Sequence, residues 1–297
     1  MNEAALEQAH CPLCSKAGET WTRRFGRELR RCRACGFAWV LQGLTRAPSG
    51  RSLYEDEMWQ FDEYADYYED ESTIEAARDK LRWIADHARA GGRLLDVGAN
   101  VGYFSTQASA RYEVTGIEPS AGTVARGRTQ LQAPIEVGSI YDERPDFHGR
   151  FDVIAMFDVL EHLPDPRGAL DRCHDYLAPG GRLFITTPDL ESVMARLLGS
   201  HWYYVDLVQH IALFGRSNLR ALLEERGFSV VSRRTIGRQY RMSYIERRLR
   251  TLAAETAALK VAHLASRPLL LWPNALVSLN LGDVMGIVAE ATATGPR

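Results

Sequence analysis

The chain has 297 residues, a length that suits about two domains of roughly 150 residues each. Apolar residues make up 45% and charged residues 25%, the balance of an ordinary globular protein, which excludes a disordered tail, a collagen and a disulfide-rich secreted scaffold. With 36 Lys/Arg against 38 Asp/Glu the formal charge is −2, so no bulk basic field calls for nucleic acid.

The first residues, Met1 to Glu7, are acidic and lack an apolar run, so no signal peptide is expected. No stretch of about 18 apolar residues predicts a transmembrane segment. Five cysteines without an export signal point to the reducing cytoplasm, where spaced cysteines mean metal more often than disulfide. Charge is blocked along the chain. Residues 1–51 carry nine Lys/Arg against four Asp/Glu, residues 54–79 eleven acidic residues against Arg78 alone, and residues 226–260 nine basic against two acidic. Such blocks predict separate units: a module over 1–46, an acidic, aromatic linker or lid over 47–73 (Tyr54, Trp59, Phe61, Tyr64, Tyr67, Tyr68), and a main domain over 74–297 with a helical insertion at about 238–280.

In the module, Cys11-Pro12-Leu13-Cys14 and Cys32-Arg33-Ala34-Cys35 are two C-x2-C knuckles seventeen residues apart. Four thiolates so placed can surround Zn²⁺ tetrahedrally at about 2.3 Å each, and a four-cysteine site leaves no open position, so the ion is expected to be structural. The alternatives are unrelated thiols or a redox pair. The stretch between the knuckles suits a short hairpin. A module of about 45 residues buries too little core to fold unaided, which makes metal binding part of its folding energy. Cys173 stands apart in a helical stretch and reads as a buried small hydrophobe.

The main domain alternates strands and helices. A helix is predicted over Ala76–Arg89. Strands follow at Arg93–Val97, Tyr112–Ile117, Ile135–Gly138, Phe151–Met156, Arg182–Thr186, Phe228–Arg233 and Gly282–Ala289. The run Ala178-Pro179-Gly180-Gly181 reads as a turn, and Ser217–Arg226 as a helix. Repeated βα units mean an α/β fold with a doubly wound, Rossmann-like, seven-stranded parallel sheet, its ligand at the carboxyl ends of the strands. After the first strand comes G-x-x-x-G (Gly98, Gly102). The glycine that lets a backbone approach a pyrophosphate is missing, and Glu118 stands twenty-two residues after Asp96, where a carboxylate can accept ribose hydroxyls. That chemistry asks for a nucleoside without phosphates. Tyr240 to Ser266 reads as an amphipathic basic helix able to meet an anionic acceptor, a membrane surface or a partner subunit, or simply to pack on its own domain.

Several motifs carry a resemblance. Asp96-Val97-Gly98-Ala99-Asn100-Val101-Gly102 is similar to motif I of class I S-adenosylmethionine-dependent methyltransferases. Gly116 to Ser120, Phe151 to Leu163 and Leu177 to Gly181 resemble its later motifs in order. The cysteine module resembles the zinc ribbon that one bacterial subgroup carries ahead of this domain. Trp202, His210, Phe214, Leu219 and Phe228 resemble that subgroup's W…H…F…L…GF signature, although Leu207-Val208-Gln209 replaces a proline usual before the histidine. The resemblance implies methyl transfer to a hydroxyl (or carbon) of a sugar, a saccharide end or another small biosynthetic intermediate. It also implies a cofactor site in which Asp96, Gly98, Asn100, Gly102 and Tyr103 cradle the methionine and ribose portion. Glu118 and Pro119 would sit at the ribose, Ser139 and Ile140 at the adenine, and Phe157 and Asp158 at the methionine. For the acceptor's proton the expected groups are His162 and His210, with Glu161 and Tyr203 (beside Tyr204) around them. The alternative for His162 is a histidine at a helix start. Two other functions fit the same motifs: an rRNA or tRNA methyltransferase gripping RNA through the ribbon, and a non-catalytic cofactor-binding module.

Overall fold

A computed structural model describes residues 10–24, 26–41, 71–205, 209–243, 246, 272 and 275–292. The expected lid over 47–73 lies outside them up to Asp70, as does most of the expected basic helix. Among the described residues no helix is long and apolar enough to cross a membrane.

The cysteine module begins with the hairpin expected between the knuckles: β1 (Gly18–Arg24) pairs antiparallel with β2 (Arg27–Cys32), and β2 with β3 (Ala38–Val40). This sheet does not close on itself. Its fourth strand is β9 (Ala212–Leu213), from the far side of the sequence, with Ala38 opposite Leu213 and Trp39 opposite Ala212. The driving force is visible in the packing. Leu29, Ala38 and Val40 share a buried cluster with Leu190, Trp202, Ile211 and Leu213, and Phe37 lies 5.0 Å from Phe214, ring centre to ring centre. β3 is apolar on both faces, with Ala38 and Val40 in this cluster and Phe37 and Trp39 in the larger core, and the small sheet gains stability by covering both.

The main sheet has the expected seven strands. In chain order they are β4 (Arg93–Val97), β5 (Glu113–Glu118), β6 (Ile135–Val137), β7 (Phe151–Phe157), β8 (Leu177–Pro188), β10 (Phe228–Thr235) and β13 (Val284–Ala291). Their spatial order is β10-β13-β8-β7-β4-β5-β6. The pairs β6–β5, β5–β4, β4–β7 and β7–β8 are parallel. The sheet is not parallel throughout, as the repeated βα units predict: β13 runs antiparallel to both β8 and β10. Helices α1 (Glu71–Ala85), α2 (Tyr103–Ala108), α3 (Ala121–Leu131), α4 (Pro166–Tyr176), α5 (Val193–Leu198) and α6 (Arg216–Glu225) complete the layers. Buried on both faces, the central strands read as apolar runs, with Ile154, Ala155 and Met156 at 0% exposure.

Two further expectations need correction. The run Ala178-Pro179-Gly180-Gly181 is not a separating turn; β8 starts at Leu177, and the register slips between the pairs Phe151–Leu177 and Val153–Arg182. A bulge takes up the extra residues: Gly180 has φ +78°, and a Cβ on Gly181 would lie 2.8 Å from the Phe151 carbonyl oxygen. The expected helix from Tyr240 does not begin there either. Arg238–Arg241 is a strand, β11, paired with β12 (Leu276–Leu279). The apolar spacing that suggested a helix starts only at Ile245, so nothing in it fixed the state of Tyr240 and Arg241.

Candidate active site and cysteine cluster

The carboxyl ends of the adjacent parallel strands β7, β4 and β5 lie along one edge of the sheet, where the turn Gly98–Gly102 follows β4. Gly98 N–H and Ala99 N–H both donate to the Ile117 carbonyl, at 2.9 and 3.0 Å, which folds the turn onto β5. Gly98 and Gly102 have φ +69° and +85°. A Cβ on Gly98 would meet Val159 at 2.6 Å, and one on Gly102 would meet Ala133 at 2.4 Å. Both positions therefore need glycine for conformation and for space.

Glu118 closes β5. Its two carboxylate oxygens accept the backbone N–H groups of Asn100 and Ser120 at 3.0 and 3.1 Å, so this side chain ties the glycine turn to the start of α3. Burial pushes its pKa up, against those two hydrogen bonds. Asp96, on β4, is buried and accepts the Ser105 hydroxyl at 2.6 Å. Burial raises its pKa to about 7, opposed by the Ser105 bond and by the Lys80 charge. Ser139 and Ile140 follow β6; Ile140 is buried, and Ser139 donates its N–H to Asp142 at 2.7 Å. Tyr103 opens α2, and Pro119 lies partly exposed after Glu118.

At the end of β7, Phe157 packs edge-on against Phe104. Asp158 adopts a left-handed φ of +59°. It accepts the Thr186 hydroxyl at 3.0 Å and Arg238 Nη2 at 2.9 Å, and its other oxygen lies 3.7 Å from Lys80 Nζ. Burial alone would raise the Asp158 pKa; Arg238 and Lys80 outweigh it and hold the carboxyl below its usual range. Lys80 also sits 4.7 Å over the Phe157 ring. Lys80 and Arg238 are not among the site residues expected from the sequence. A lysine one turn before buried Ile84, on the packed face of α1, was a readable signal. Arg238 is eighty residues from Asp158, and no local pattern marks it.

Beyond Asp158 the chain makes one short turn, Leu160–His162, and meets the loop before β9. His162 Nδ1 lies 2.8 Å from the Gln209 carbonyl oxygen, and His210 Nδ1 lies 2.8 Å from the Tyr204 carbonyl oxygen. A carbonyl only accepts, so each ring carries its proton on Nδ1 and Nε2 is its basic nitrogen. The two rings stand 4.9 Å apart, and Tyr204 continues the aromatic row, 5.7 Å from His210 and 4.8 Å from Tyr203. The expected pair of histidines is thus brought together, on backbone acceptors that side-chain patterns do not reveal. His162 is not bound into a helix start; the helix after it, α4, is capped by Asp165, which accepts the Gly168 N–H.

Burial, with His210 beside it, drives the His162 pKa down to about 3. Glu161 is 1% exposed; burial first, and then the Asp158 charge, raise its pKa to about 8. Its Oε2 is buried without a hydrogen-bond partner, an arrangement a neutral carboxyl tolerates far better than a carboxylate. One donor atom from each of Glu161, His162 and His210 lies within 4.8 Å of the others. Burial favours the neutral forms of Glu161 and His162, and the trio would act as a ligand set only with Glu161 ionised.

Among the described residues, the four module cysteines form the other such cluster, again within 4.8 Å. Cys11 Sγ lies 3.5 Å from Cys35 Sγ, and Cys14 Sγ 3.5 Å from Cys32 Sγ, so the knuckles interleave. A tetrahedral ion with bonds of about 2.3 Å sets sulfurs about 3.8 Å apart, and the donor set fits that ion. The two knuckles are conformational twins. In each, the first cysteine's carbonyl accepts the N–H four residues on (Ser15, Gly36), and its N–H donates to the carbonyl five residues on (Lys16, Phe37). Ser15 and Gly36 both have positive φ. Much of the module's positive charge is paired internally, Arg23 and Arg30 with Glu28 and Arg33 with Glu19. Cys173 is buried in α4, as expected.

A doubly wound sheet with a reversed strand beside its end, a glycine turn after its first strand and a half-buried carboxylate at the end of its second defines the class I methyltransferase fold. A family described as "Methyltransferase domain" matches residues 67–233, more than half of the chain, and the chain belongs to that family. A ubiquinone biosynthesis O-methyltransferase of Azotobacter vinelandii is 35% identical over 115 residues, which are 36% of this chain and 50% of the relative. One of Erwinia tasmaniensis is 34% identical over 116 residues, 36% and 48% of the two chains. The chain therefore spans about half the length of the curated relatives it matches. A solved SAM-dependent methyltransferase from Archaeoglobus fulgidus superposes with a TM-score of 0.50 over 73% of this chain and 94% of its own, at 15% identity, a likeness of fold.

Proposed function

We propose that the chain transfers a methyl group from S-adenosylmethionine to a hydroxyl of a small-molecule acceptor, and that Cys11, Cys14, Cys32 and Cys35 hold a structural Zn²⁺. The observation that carries the reading is the half-buried Glu118 carboxylate, fixed by Asn100 and Ser120 at the strand end where a doubly wound sheet takes its ligand. A carboxylate so held suits the paired hydroxyls of a ribose. In this reading Asp96, Gly98, Asn100, Gly102 and Tyr103 line the methionine and ribose portion. Pro119 lies with Glu118 at the ribose, Ser139 and Ile140 toward the adenine, and Phe157, Asp158 and Lys80 toward the methionine end.

Bound S-adenosylmethionine supplies a methyl on a sulfonium, an electrophile already activated. The chain's own residues must align the acceptor oxygen and take its proton. Alignment contributes about 7–11 kcal/mol in favourable cases, and a positioned base about 10²–10⁴-fold. His162, with a pKa near 3, is a poor proton acceptor, since a base works best near the operating pH. It orients the acceptor through Nε2, and His210 takes the proton. Neutral Glu161 can donate a hydrogen bond to the same array, and Tyr203 and Tyr204 roof the acceptor. The relatives' name supports oxygen as the accepting atom, and nothing in the comparisons supports the saccharide class expected from the sequence.

Native mass spectrometry with and without S-adenosylmethionine tests this. One zinc per chain and saturable cofactor binding that weakens in Glu118→Ala are expected. Absence of cofactor binding in the unaltered chain overturns the reading.

A further inference from the structure

The cysteine cluster and the histidine pair belong to one hydrogen-bonded construction. After the second knuckle the chain runs straight into β3, and Val40 N–H donates to the Ile211 carbonyl at 2.9 Å. Ile211 N–H donates in turn to the Glu161 carbonyl at 3.0 Å. Residues 209–213 are thus held between the module on one side and the Glu161–His162 turn on the other. From this strip Gln209 offers its carbonyl to His162, and His210 extends its ring beside it. β9 is two residues long, too short to hold a position by its own pairing.

The main domain grips both knuckles by their backbone. Arg167 donates from Nη2 to the Leu13 carbonyl at 2.8 Å and from Nε to the Pro12 carbonyl at 3.3 Å, while Nη1 pairs with Glu225. Asn218 Nδ2 donates to the Cys35 carbonyl at 3.0 Å, and its Oδ1 accepts the Gly215 N–H at 3.1 Å, just past β9. Each knuckle therefore has a side-chain clamp, and the second clamp also fixes the chain leaving β9. Phe37 and Trp39, flanking Ala38, are at 0% and 2% exposure, so the strand cannot slide without opening the core.

We infer that the cysteine module is a positioning element of the acceptor site: order at Cys32–Cys35 sets the place of His210 against His162 through the pairing of residues 38–40 with 211–213. This rests on the proposed assignment of the histidine pair to the acceptor and of the cysteines to a metal. It gives the module an internal task, where an RNA-gripping ribbon would have an external one. The glycine turn and Glu118 lie outside this strip, so the cofactor half of the site is expected to be indifferent to the module.

The test is histidine-labelled NMR on the zinc-loaded full chain, comparing the unaltered protein with Asn218→Ala and Val40→Ala, none of which alters a thiolate or an imidazole. Val40→Ala keeps the N–H and shortens only the packing; Asn218→Ala removes the clamp on the second knuckle. In Asn218→Ala, zinc content of one per chain and a cofactor Kd within twofold of the unaltered protein are expected, while the ring resonances of His162 and His210 shift or broaden. Stripping zinc with a thiol-directed reagent should broaden the same two resonances further and leave those of His148 and His174 sharp. Unmoved His162 and His210 resonances in zinc-free folded protein, or in both variants, overturn the inference. Failure of the underlying assignments reads differently: no zinc, or no cofactor binding, in the unaltered chain.

Discussion

Ile211 donates its backbone N–H to the Glu161 carbonyl oxygen at 3.0 Å, and through that bond two segments fifty residues apart present neighbouring histidines to one space. In the proposed reading the burial that lowers the His162 pKa then separates the roles of the pair. His210→Asn is expected to lower kcat by about 10²–10⁴-fold, the range of a lost general base. His162→Asn, which loses an orienting contact, should cost about tenfold. Steady-state kinetics with calorimetric cofactor titration checks both; equal losses in the two variants would reverse the assignment.

Glu118→Ala should weaken cofactor binding by about 10–100-fold, because a hydrogen bond to a charged group contributes about 1.5–3 kcal/mol. The same variant releases the Asn100 and Ser120 amides, so the glycine turn should loosen. Isothermal calorimetry gives the affinity, and hydrogen exchange at residues 98–102 gives the turn. Unchanged affinity would place the ribose elsewhere.

The Glu161 carboxyl has a folded pKa of about 8 against 4.5 for the free group. Because the folded value is the higher one, the proton is bound more tightly in the native state. Stability from this group is present below about pH 4.5 and lost as pH rises through 8. Glu161→Gln keeps a neutral polar group, so its Tm relative to the unaltered protein should climb between pH 5 and 9. The gain at pH 9 is on the order of a few kcal/mol at most. His162 works at the other end: with its pKa depressed to about 3 from 6.5, it destabilises the fold as pH falls below about 6.5. Differential scanning calorimetry across pH checks both, and a Tm difference for Glu161→Gln that is flat with pH would contradict the burial argument.

Two glycines with positive φ give an internal comparison. Gly91 (φ +88°) has open space where a Cβ would lie, whereas Gly102 (φ +85°) has Ala133 at 2.4 Å. Gly91→Ala should cost about 1–2 kcal/mol, the left-handed penalty alone. Gly102→Ala adds about 1–3 kcal/mol of overpacking and should also weaken cofactor binding. Urea unfolding resolves the two; equal costs would mean that Ala133 yields freely.

Cys11→Ser and Cys35→Ser should each reduce zinc to well under one per chain, and Cys173→Ser, in the core of α4, should leave it at one. Metal analysis by plasma mass spectrometry decides this. Full zinc in Cys35→Ser would mean that the knuckles are not its ligands.

Much of this was legible in the sequence because the signals were local. The C-x2-C spacing, the glycine turn Gly98–Gly102, and Asp96 and Glu118 at strand ends are each written within a few residues, and the structure puts them where short-range rules predict. What escaped has a physical cause in each case. Arg238 reaches Asp158 by a tertiary contact, and Gln209 and Tyr204 act through carbonyls that any residue would supply. The Ala178–Gly181 run carries turn residues, yet neighbouring β7 enforces a bulged strand, a tertiary override of local preference. β9 is two residues long and has no period to detect. Its pairing with β3 is the part of the site least visible in the sequence.

That pairing also orders events during synthesis. Val40 leaves the ribosome some 170 residues before Ile211, its hydrogen-bond acceptor, and at about 5–20 residues per second the delay is roughly 10–30 s. Throughout that interval Phe37 and Trp39 have no Phe214 or Ala212 to cover them, and β3 offers an open edge to any strand nearby. Until residues 211–214 have been made, the cysteine module is left with an open strand edge and uncovered apolar side chains.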